Sequence, residues 1–389
     1  MILGLFFSRG VSLQLWEDKG LFDREKLLYE EHLKENSLTK VYWFTYGVKD
    51  KELSIKLKNE NRLHSHIEVI SMPKVFDIPK LGSYFYSFLL PLFHKKYLKE
   101  CSLYKTNQTD GSWSAVIAKK LYNKKLIYRT GFTMSQLENK LKRFNIVILK
   151  TIEFVEWWAY KNCDKAVVAS KHNLEYVSYK YNIDKEIVEL VYNFIDREKF
   201  FDFHQERDEK VIFVGRLSEE KNIFNLITAL NKVGLPLEIY GSGKLGDELQ
   251  YFIQENNYDV KLKGNISNSE LPKILNQNKY YALVSKHEGM PKALIEAMAC
   301  GCICIGTDVT GINEVIINNK NGILATDISS NAIRVAFEKA IDLSSHEKSH
   351  FSINMKNHID KFFTLKMVLK KEKEIFTKSG VNIRNEKEL

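Results

Sequence analysis

The feature that most constrains this chain is a rhythm of short apolar runs, each about a strand long, separated by helix-length amphipathic segments. In the first half the runs fall at Ile2–Phe7, Val41–Thr45, Ile67–Ile70, Ser102–Lys105, Leu126–Tyr128, Lys165–Ala169 and Ile187–Val191. In the second half they fall at Val211–Gly215, Leu237–Tyr240, Lys261–Ile266, Tyr280–Ser285 and Cys302–Ile305. Strands that alternate with helices in this way predict an α/β chain with doubly wound parallel sheets. A length of 389 residues suffices for two domains, each with its own core. Asp196–Lys210 is charged and without periodicity, so it reads as a linker. The predicted boundaries are residues 1–196, 197–361 and a C-terminal helix with a loose tail at 362–389. Val335–Ile341 and Ile359–Phe376 read as helices.

Open parallel sheets bind ligands at the carboxyl ends of their strands. After Tyr280–Ser285 comes Glu288-Gly-Met-Pro-Lys-Ala-Leu-Ile-Glu296, with Gly289 and Pro291 marking a turn and good helix formers over Lys292–Ala299. The unpaired first-turn amides of such a helix, backed by its dipole, form a phosphate site. Glu288 and Glu296 bracket it, and each carboxylate suits a diol, which is the layout of a nucleotide-sugar. The plainer reading is two acids complementing a helix dipole. Arg216 and Lys221 in Gly-Arg-Leu-Ser-Glu-Glu-Lys-Asn222 sit at a helix start, where cations oppose the dipole, and an anionic ligand explains them.

Other signals are weaker. Gly10 lies in a strand-to-helix turn after the first strand and permits close backbone approach to a phosphate. Asp110 and Arg129 each follow a strand end; they read equally as ligand contacts or as an N-cap and a surface cation. Glu153 and Glu156 read as structural. His287 beside Glu288 has no geometry that makes it a base. Gly241-Ser-Gly243-Lys-Leu-Gly246 spells the dinucleotide fingerprint. It follows the second strand of its domain rather than the first, and the expected downstream acid is missing, so an NAD(P)-dependent oxidoreductase is the weaker alternative.

The stretch from Glu288 to Gly301 resembles the E-x7-E signature of retaining GT-B glycosyltransferases of family 4, and Arg216-x4-Lys221 matches that family's diphosphate contacts. Gly10-Val-Ser-Leu-x-x-Trp16 is similar to surface-polysaccharide members, and Gly311-Ile-Asn-Glu314 resembles the family's Gly-x-x-Glu loop. The resemblance implies two Rossmann-like domains facing across a cleft, with a C-terminal helix returning to the first domain. It implies a donor site of Gly10, Gly215, Arg216, Lys221, Gly241, Gly243, Ile266, Glu288, Gly289, Met290, Pro291, Lys292, Ala293, Leu294 and Glu296. Glu288 would hold the hexose and Glu296 the ribose, and Glu288, Arg216 and Lys221 would carry catalysis. Asp110 and Arg129 would lie on the acceptor or sugar side; relatives often place a His near Arg129. The implied reaction moves a hexose from a UDP-, GDP- or ADP-sugar to a glycan or lipid-linked glycan in surface-polysaccharide synthesis. A sugar-nucleotide-binding protein without turnover is the rival from another class.

Cofactors and compartment are constrained by what remains. No Asp-x-Asp pair occurs, so no metal and no other cofactor is expected. The five cysteines show no disulfide pattern; Cys300, Cys302 and Cys304 alternate, which on a strand would place them on one side as buried thiols. That suits a reducing, cytoplasmic compartment. Met1–Phe7 reads as a strand rather than a signal, and Tyr84–Phe93 is too short for a span. A net charge of +9 favours anionic partners, and no nucleic-acid motif accompanies it. Met134–Tyr160, with Lys140, Lys142, Arg143 and Lys150 among apolar residues, reads as either a buried helix with a basic end or a segment lying on the inner face of an anionic membrane.

Overall fold

The computed structural model describes residues 1–131, 133–136 and 145–381. The chain forms two compact units, Met1–Val191 with Leu369 onward, and Tyr192–Val368. In the first, β1 (Ile2–Phe6), β2 (Lys40–Phe44), β3 (Ile67–Ile70), β4 (Leu103–Thr106), β5 (Lys125–Thr130), β6 (Lys165–Val168) and β7 (Val188–Leu190) make one sheet in the order 3-2-1-4-5-6-7. In the second, β8 (Asp208–Val214), β9 (Leu237–Tyr240), β10 (Val260–Gly264), β11 (Asn278–Leu283), β12 (Ile303–Thr307) and β13 (Ile323–Ala325) run 10-9-8-11-12-13. All neighbouring strands in both sheets are parallel. Each sheet is Rossmann-like, as the strand rhythm predicts.

Central strands of such sheets lose both faces to helices, so their side chains are apolar throughout rather than alternating. Leu3, Leu5, Val41, Trp43, Leu103, Val211, Ile212, Phe213 and Tyr281 are fully buried accordingly. Burial of each large side chain stabilises by about 1.5–3 kcal/mol.

The first unit contains a charged core cluster. Lys105 on β4 meets Glu372 Oε1 at 2.5 Å, and Glu372 Oε2 lies 3.2 Å from His32 Nε2. His32 Nδ1 is 2.7 Å from Ser37 Oγ, and the Lys105 ammonium stands over the Tyr29 ring at 5.1 Å. Burial opposes charge on Glu372, but Lys105 and His32 outweigh it and hold the carboxyl down at about 2. Burial lowers the His32 value and keeps the ring neutral. Glu372 belongs to the last helix, Leu365–Lys378, so this cluster fastens the end of the chain into the first sheet's unit.

Three expectations change in detail. Cys300 caps the Lys292–Ala299 helix and Gly301 turns the chain at φ +83°, so Cys300 is not on a strand with Cys304; the turn ends the alternation. Asp196–Lys210 is anchored rather than free. Arg207 donates to Asp202, Asn276, Leu275, Asn278 and Cys300, Phe200 is buried, and β8 starts at Asp208. Ile359–Phe376 is broken between Phe362 and Leu365, where the Ile195 amide donates to Phe363 and Ile195 bridges Thr364.

Candidate functional site

In the second sheet β8 lies between β9 and β11, whose connections run in opposite directions from it, so the loops after β8 and β11 open a crevice at the carboxyl edge. The β8 loop brings Gly215, Arg216 and Lys221. The β11 loop brings Ser285 and Glu288–Pro291, and leads into the helix Lys292–Ala299. The two loops are tied directly: Lys286 N donates to Glu220 O at 2.8 Å, and Lys221 Nζ meets Glu288 Oε1 at 2.5 Å.

Glu288 is held from several sides. Ser285 Oγ donates to the same Oε1 at 2.6 Å, Thr307 Oγ1 fixes Ser285 O at 2.6 Å, and Glu288 N donates to Thr310 O at 3.1 Å. Gly311, at φ +86°, lets that loop close, since a Cβ there would sit 2.5 Å from Gly289 O. Glu288 Oε2 makes no hydrogen bond among the described residues, although the side chain is only 13% exposed. A half-buried carboxylate with a fixed position and one open oxygen is equipped to accept from a hydroxyl. Arg216, on the loop after β8, is exposed and makes no hydrogen bond or ion pair among the described residues.

The helix at Lys292–Ala299 begins at Pro291 with no side-chain cap and no acid in its first turn. The amides of Lys292, Ala293 and Leu294 therefore lack helical partners and carry the positive end of the dipole. Glu296 lies about one turn in and is 6% exposed. Glu288 precedes the helix, so of the two carboxylates only that of Glu296 is on a helical residue. Their charges still share a neighbourhood: both act on Tyr281, whose hydroxyl is raised first by burial and then by Cys304, Glu296 and Glu288.

The Gly-x-Gly loop has a packing role that its dinucleotide spelling hides. Gly241, at φ +143°, donates its N–H to Gly264 O, and a Cβ would fall 1.8 Å from Gly215 O. A Cβ on Gly243 would lie 2.2 Å from Leu217 O, and Leu217 N donates to Ser242 O. These glycines let the β9 loop lie against the β8 loop that carries Arg216 and Lys221. Gly241→Ala is expected to destabilise the second unit by about 1–3 kcal/mol through backbone displacement. Thermal unfolding checks this; an unchanged midpoint would show that the loops are not packed so. Ile266, half-buried after β10, completes this edge.

The remaining candidates belong to the first unit. There β1 lies between β2 and β4, again a switch point. Gly10 turns at φ +76°, Gly111 at φ +86°, and Arg9 N donates to Asp110 O. Both Asp110 carboxylate oxygens are taken by Arg9, at 2.9 Å each, and the helix at Ser112–Tyr122 has Gly111 and no side chain at its N-cap. Asp110 is thus neither an N-cap nor an open acceptor. Arg129 is half-buried on β5, and its charge acts on Lys105 and Tyr29, so it is not a surface cation. Glu156 is buried and accepts from Met134 N, Ser135 N and the Tyr181 hydroxyl. Glu153 is paired with Lys150 and Lys180. Of the basic segment, Lys140, Lys142 and Arg143 lie outside the described residues. Among the described residues no cluster of His, Cys, Asp or Glu suits a metal ion.

Sequence reasoning missed Arg9 and Asp50. Arg9 is a cation directly at a strand end, a signal that was available. Asp50 is buried and accepts from Leu13 N, Gln14 N and Gly47 N, fixing the turn after Gly10; it reads in sequence as an ordinary first-turn acid.

Residues 194–358 match the family described as glycosyl transferases group 1. An uncharacterised glycosyltransferase of Methanocaldococcus jannaschii is 27% identical over 49% of this chain and 52% of its own. The Campylobacter jejuni N-acetylgalactosamine-N,N'-diacetylbacillosaminyl-diphospho-undecaprenol 4-alpha-N-acetylgalactosaminyltransferase is 29% identical over 57% of this chain and 62% of its own. The chain thus spans about half to three-fifths of these curated relatives. Anabaena HepE, solved with UDP and glucose, superposes with a TM-score of 0.74 at 16% identity, covering 97% of this chain and 100% of that one. Residues 194–358, which carry every second-unit candidate from Gly215 to Glu296, match the glycosyl transferases group 1 family, and the chain as a whole has the GT-B fold.

Proposed function

We propose that the protein is a retaining glycosyltransferase that moves a hexose from a nucleoside-diphosphate sugar to a hydroxyl of a glycan or lipid-linked glycan, in cell-surface polysaccharide synthesis. The observation that carries this reading is Glu288, fixed by Lys221 and Ser285 with its second oxygen open, beside an uncapped helix start. In this reading the open oxygen grips a sugar hydroxyl, Glu296 accepts from the ribose, and the diphosphate lies against the helix amides with Arg216 and Lys221 around it. Lys221 then bridges the sugar-holding carboxylate and the leaving group.

As the C1–O bond to the diphosphate breaks, negative charge grows on the departing oxygen, and preplaced cations and amides stabilise it. The acceptor oxygen bonds to C1 on the same face, and its proton passes to the leaving phosphate. No protein base is required. Gly10 lets the β1 loop approach the donor's diphosphate, the loop carrying Asp110 serves the acceptor side, and Arg129 acts through the core charges it neighbours. A lipid-linked acceptor is supported by the diphospho-undecaprenol named for the Campylobacter jejuni relative. Peripheral contact with an anionic membrane surface on the cytoplasmic side belongs to the same reading.

A thermal-shift screen of UDP-, GDP- and ADP-sugars tests it. One nucleotide class is expected to stabilise the protein by about 2.7 kcal/mol at a hundredfold excess over Kd. Release of the nucleoside diphosphate with acceptor is expected to be unaffected by EDTA, and NADH is expected not to bind. No shift with any nucleotide-sugar, or NADH binding instead, sinks the proposal.

A further inference from the structure

The helix Gly82–Phe93 is apolar on nearly its whole circumference but buried on only one side. Gly82, Tyr86, Ser87, Leu90 and Pro91 face the unit's interior. Tyr84, Phe85, Phe88, Leu89, Leu92 and Phe93 recur at i, i+1, i+4, i+5, i+8 and i+9, and are 37–60% exposed. A helix of that composition ordinarily lies in a core or in lipid. Val75, Ile78 and Leu81, just before it, are exposed as well and extend the stripe. Contiguous apolar surface of this extent on a folded protein marks a contact site.

The charges around the stripe indicate what it contacts. The helix itself carries none. Exposed Lys74, Lys80, Lys95, Lys96 and Lys99 flank it, against Asp77 and Glu100, and Glu100 already accepts from the Tyr42 hydroxyl. An apolar face rimmed by lysines is complementary to an anionic bilayer, where the rings enter the acyl boundary and the ammonium groups meet the headgroups. No helix among the described residues is long and apolar enough to cross a membrane, so a helix of 12 residues lies in the interface plane.

The stripe is also joined to the ligand end of the first sheet. The Arg9 guanidinium stacks on Tyr84 at 3.7 Å while binding Asp110. Trp113, at the start of the Ser112–Tyr122 helix, stacks on Phe88 and donates to Ser87 Oγ at 2.9 Å. The loops after β1 and β4 therefore share contacts with the exposed helix.

We propose that Gly82–Phe93 seats the first unit on an anionic bilayer, placing the carboxyl ends of β1 and β4 at the level where a lipid-linked acceptor presents its headgroup. The docking stands on the stripe and its lysines; the role given to it rests on the transfer reading.

The test is co-sedimentation of the full chain with vesicles of phosphatidylcholine alone and with 30% phosphatidylglycerol. Wild type should bind the anionic vesicles, prefer them over neutral ones, and weaken as salt rises. The exposed triple variant Phe85→Ser/Leu89→Ser/Leu92→Ser should bind at least about tenfold less, with an unchanged melting temperature and an unchanged nucleotide-sugar shift. Lys95→Glu/Lys96→Glu should lose the anionic preference. Equal binding by wild type and triple variant overturns the proposal, as does wild type that sediments with neither vesicle. A wild-type dimer that the triple variant renders monomeric would assign the stripe to a second copy instead. Failure of the transfer reading shows separately, as vesicle binding that persists in a protein no nucleotide-sugar stabilises.

Discussion

Lys221→Ala is expected to lower turnover by about 10²–10³-fold, the size of effect seen when one preorganised group is removed from developing transition-state charge. The side chain is 19% exposed and its ammonium rests on Glu288 at 2.5 Å, so it needs little reorganisation as the diphosphate departs. Its loss also leaves the Glu288 carboxylate with Ser285 alone. Glu288→Ala should cost a similar factor by releasing the sugar. Glu288→Gln should fall between, because it keeps a hydrogen-bonding oxygen while losing the charge that orients Lys221. Both alanine variants should unfold at nearly the wild-type temperature, since neither side chain is in the core. Steady-state kinetics with donor and acceptor, alongside thermal unfolding, provides the check; turnover within a few-fold of wild type in Lys221→Ala would remove the assigned role.

The largest effect on stability is expected at the other end of the molecule's charge map. Glu372→Ala strands Lys105, 1% exposed, without a counter-ion, and breaking a buried pair in this way costs about 3–5 kcal/mol. Replacing both partners with apolar residues of similar volume should restore much of the loss. The sign of the pH effect follows from the two shifts. Glu372 has a folded value of about 2, below its usual 4.5, so its contribution is complete above the unfolded value and is lost as pH falls toward 2. His32 is lowered too, so the unfolded chain takes up a proton below about pH 6.5 that the folded one resists. Both slopes point the same way: the first unit should weaken as acid is added. Urea unfolding between pH 7 and 4 should show the wild type losing stability and Glu372→Ala losing less. A flat wild-type profile would rule the cluster out as the cause.

The architecture was legible because parallel strands buried on both faces must be apolar from end to end, and those runs are visible without partners. Ile67–Ile70 is matched residue for residue, and other first-unit strands shift by a residue or two at their ends. The helix at Lys292–Ala299 was legible for a local reason, a Gly-x-Pro turn followed by strong helix formers. Contacts between distant residues were not. Nothing near Asp110 announces that Arg9, 101 positions earlier, takes both its oxygens. The glycines of the β9 loop spell a nucleotide motif, yet here they yield to the backbone of Gly215 and Leu217, a demand set by the neighbouring strand. The anchoring of Asp196–Lys210 through Arg207 was hidden for the same reason, since a charged stretch looks alike whether its charges meet water or buried carbonyls.

The pairing of Lys105 with Glu372 spans 267 positions of sequence. At synthesis rates of about 5–20 residues per second, a ribosome needs on the order of 13–53 s to deliver the partner. During that interval the nascent first sheet holds a lysine in its centre with nothing to neutralise it. The first unit therefore cannot complete its core until the helix Leu365–Lys378 has been made, and a stop codon ahead of Glu372 would damage the domain made first.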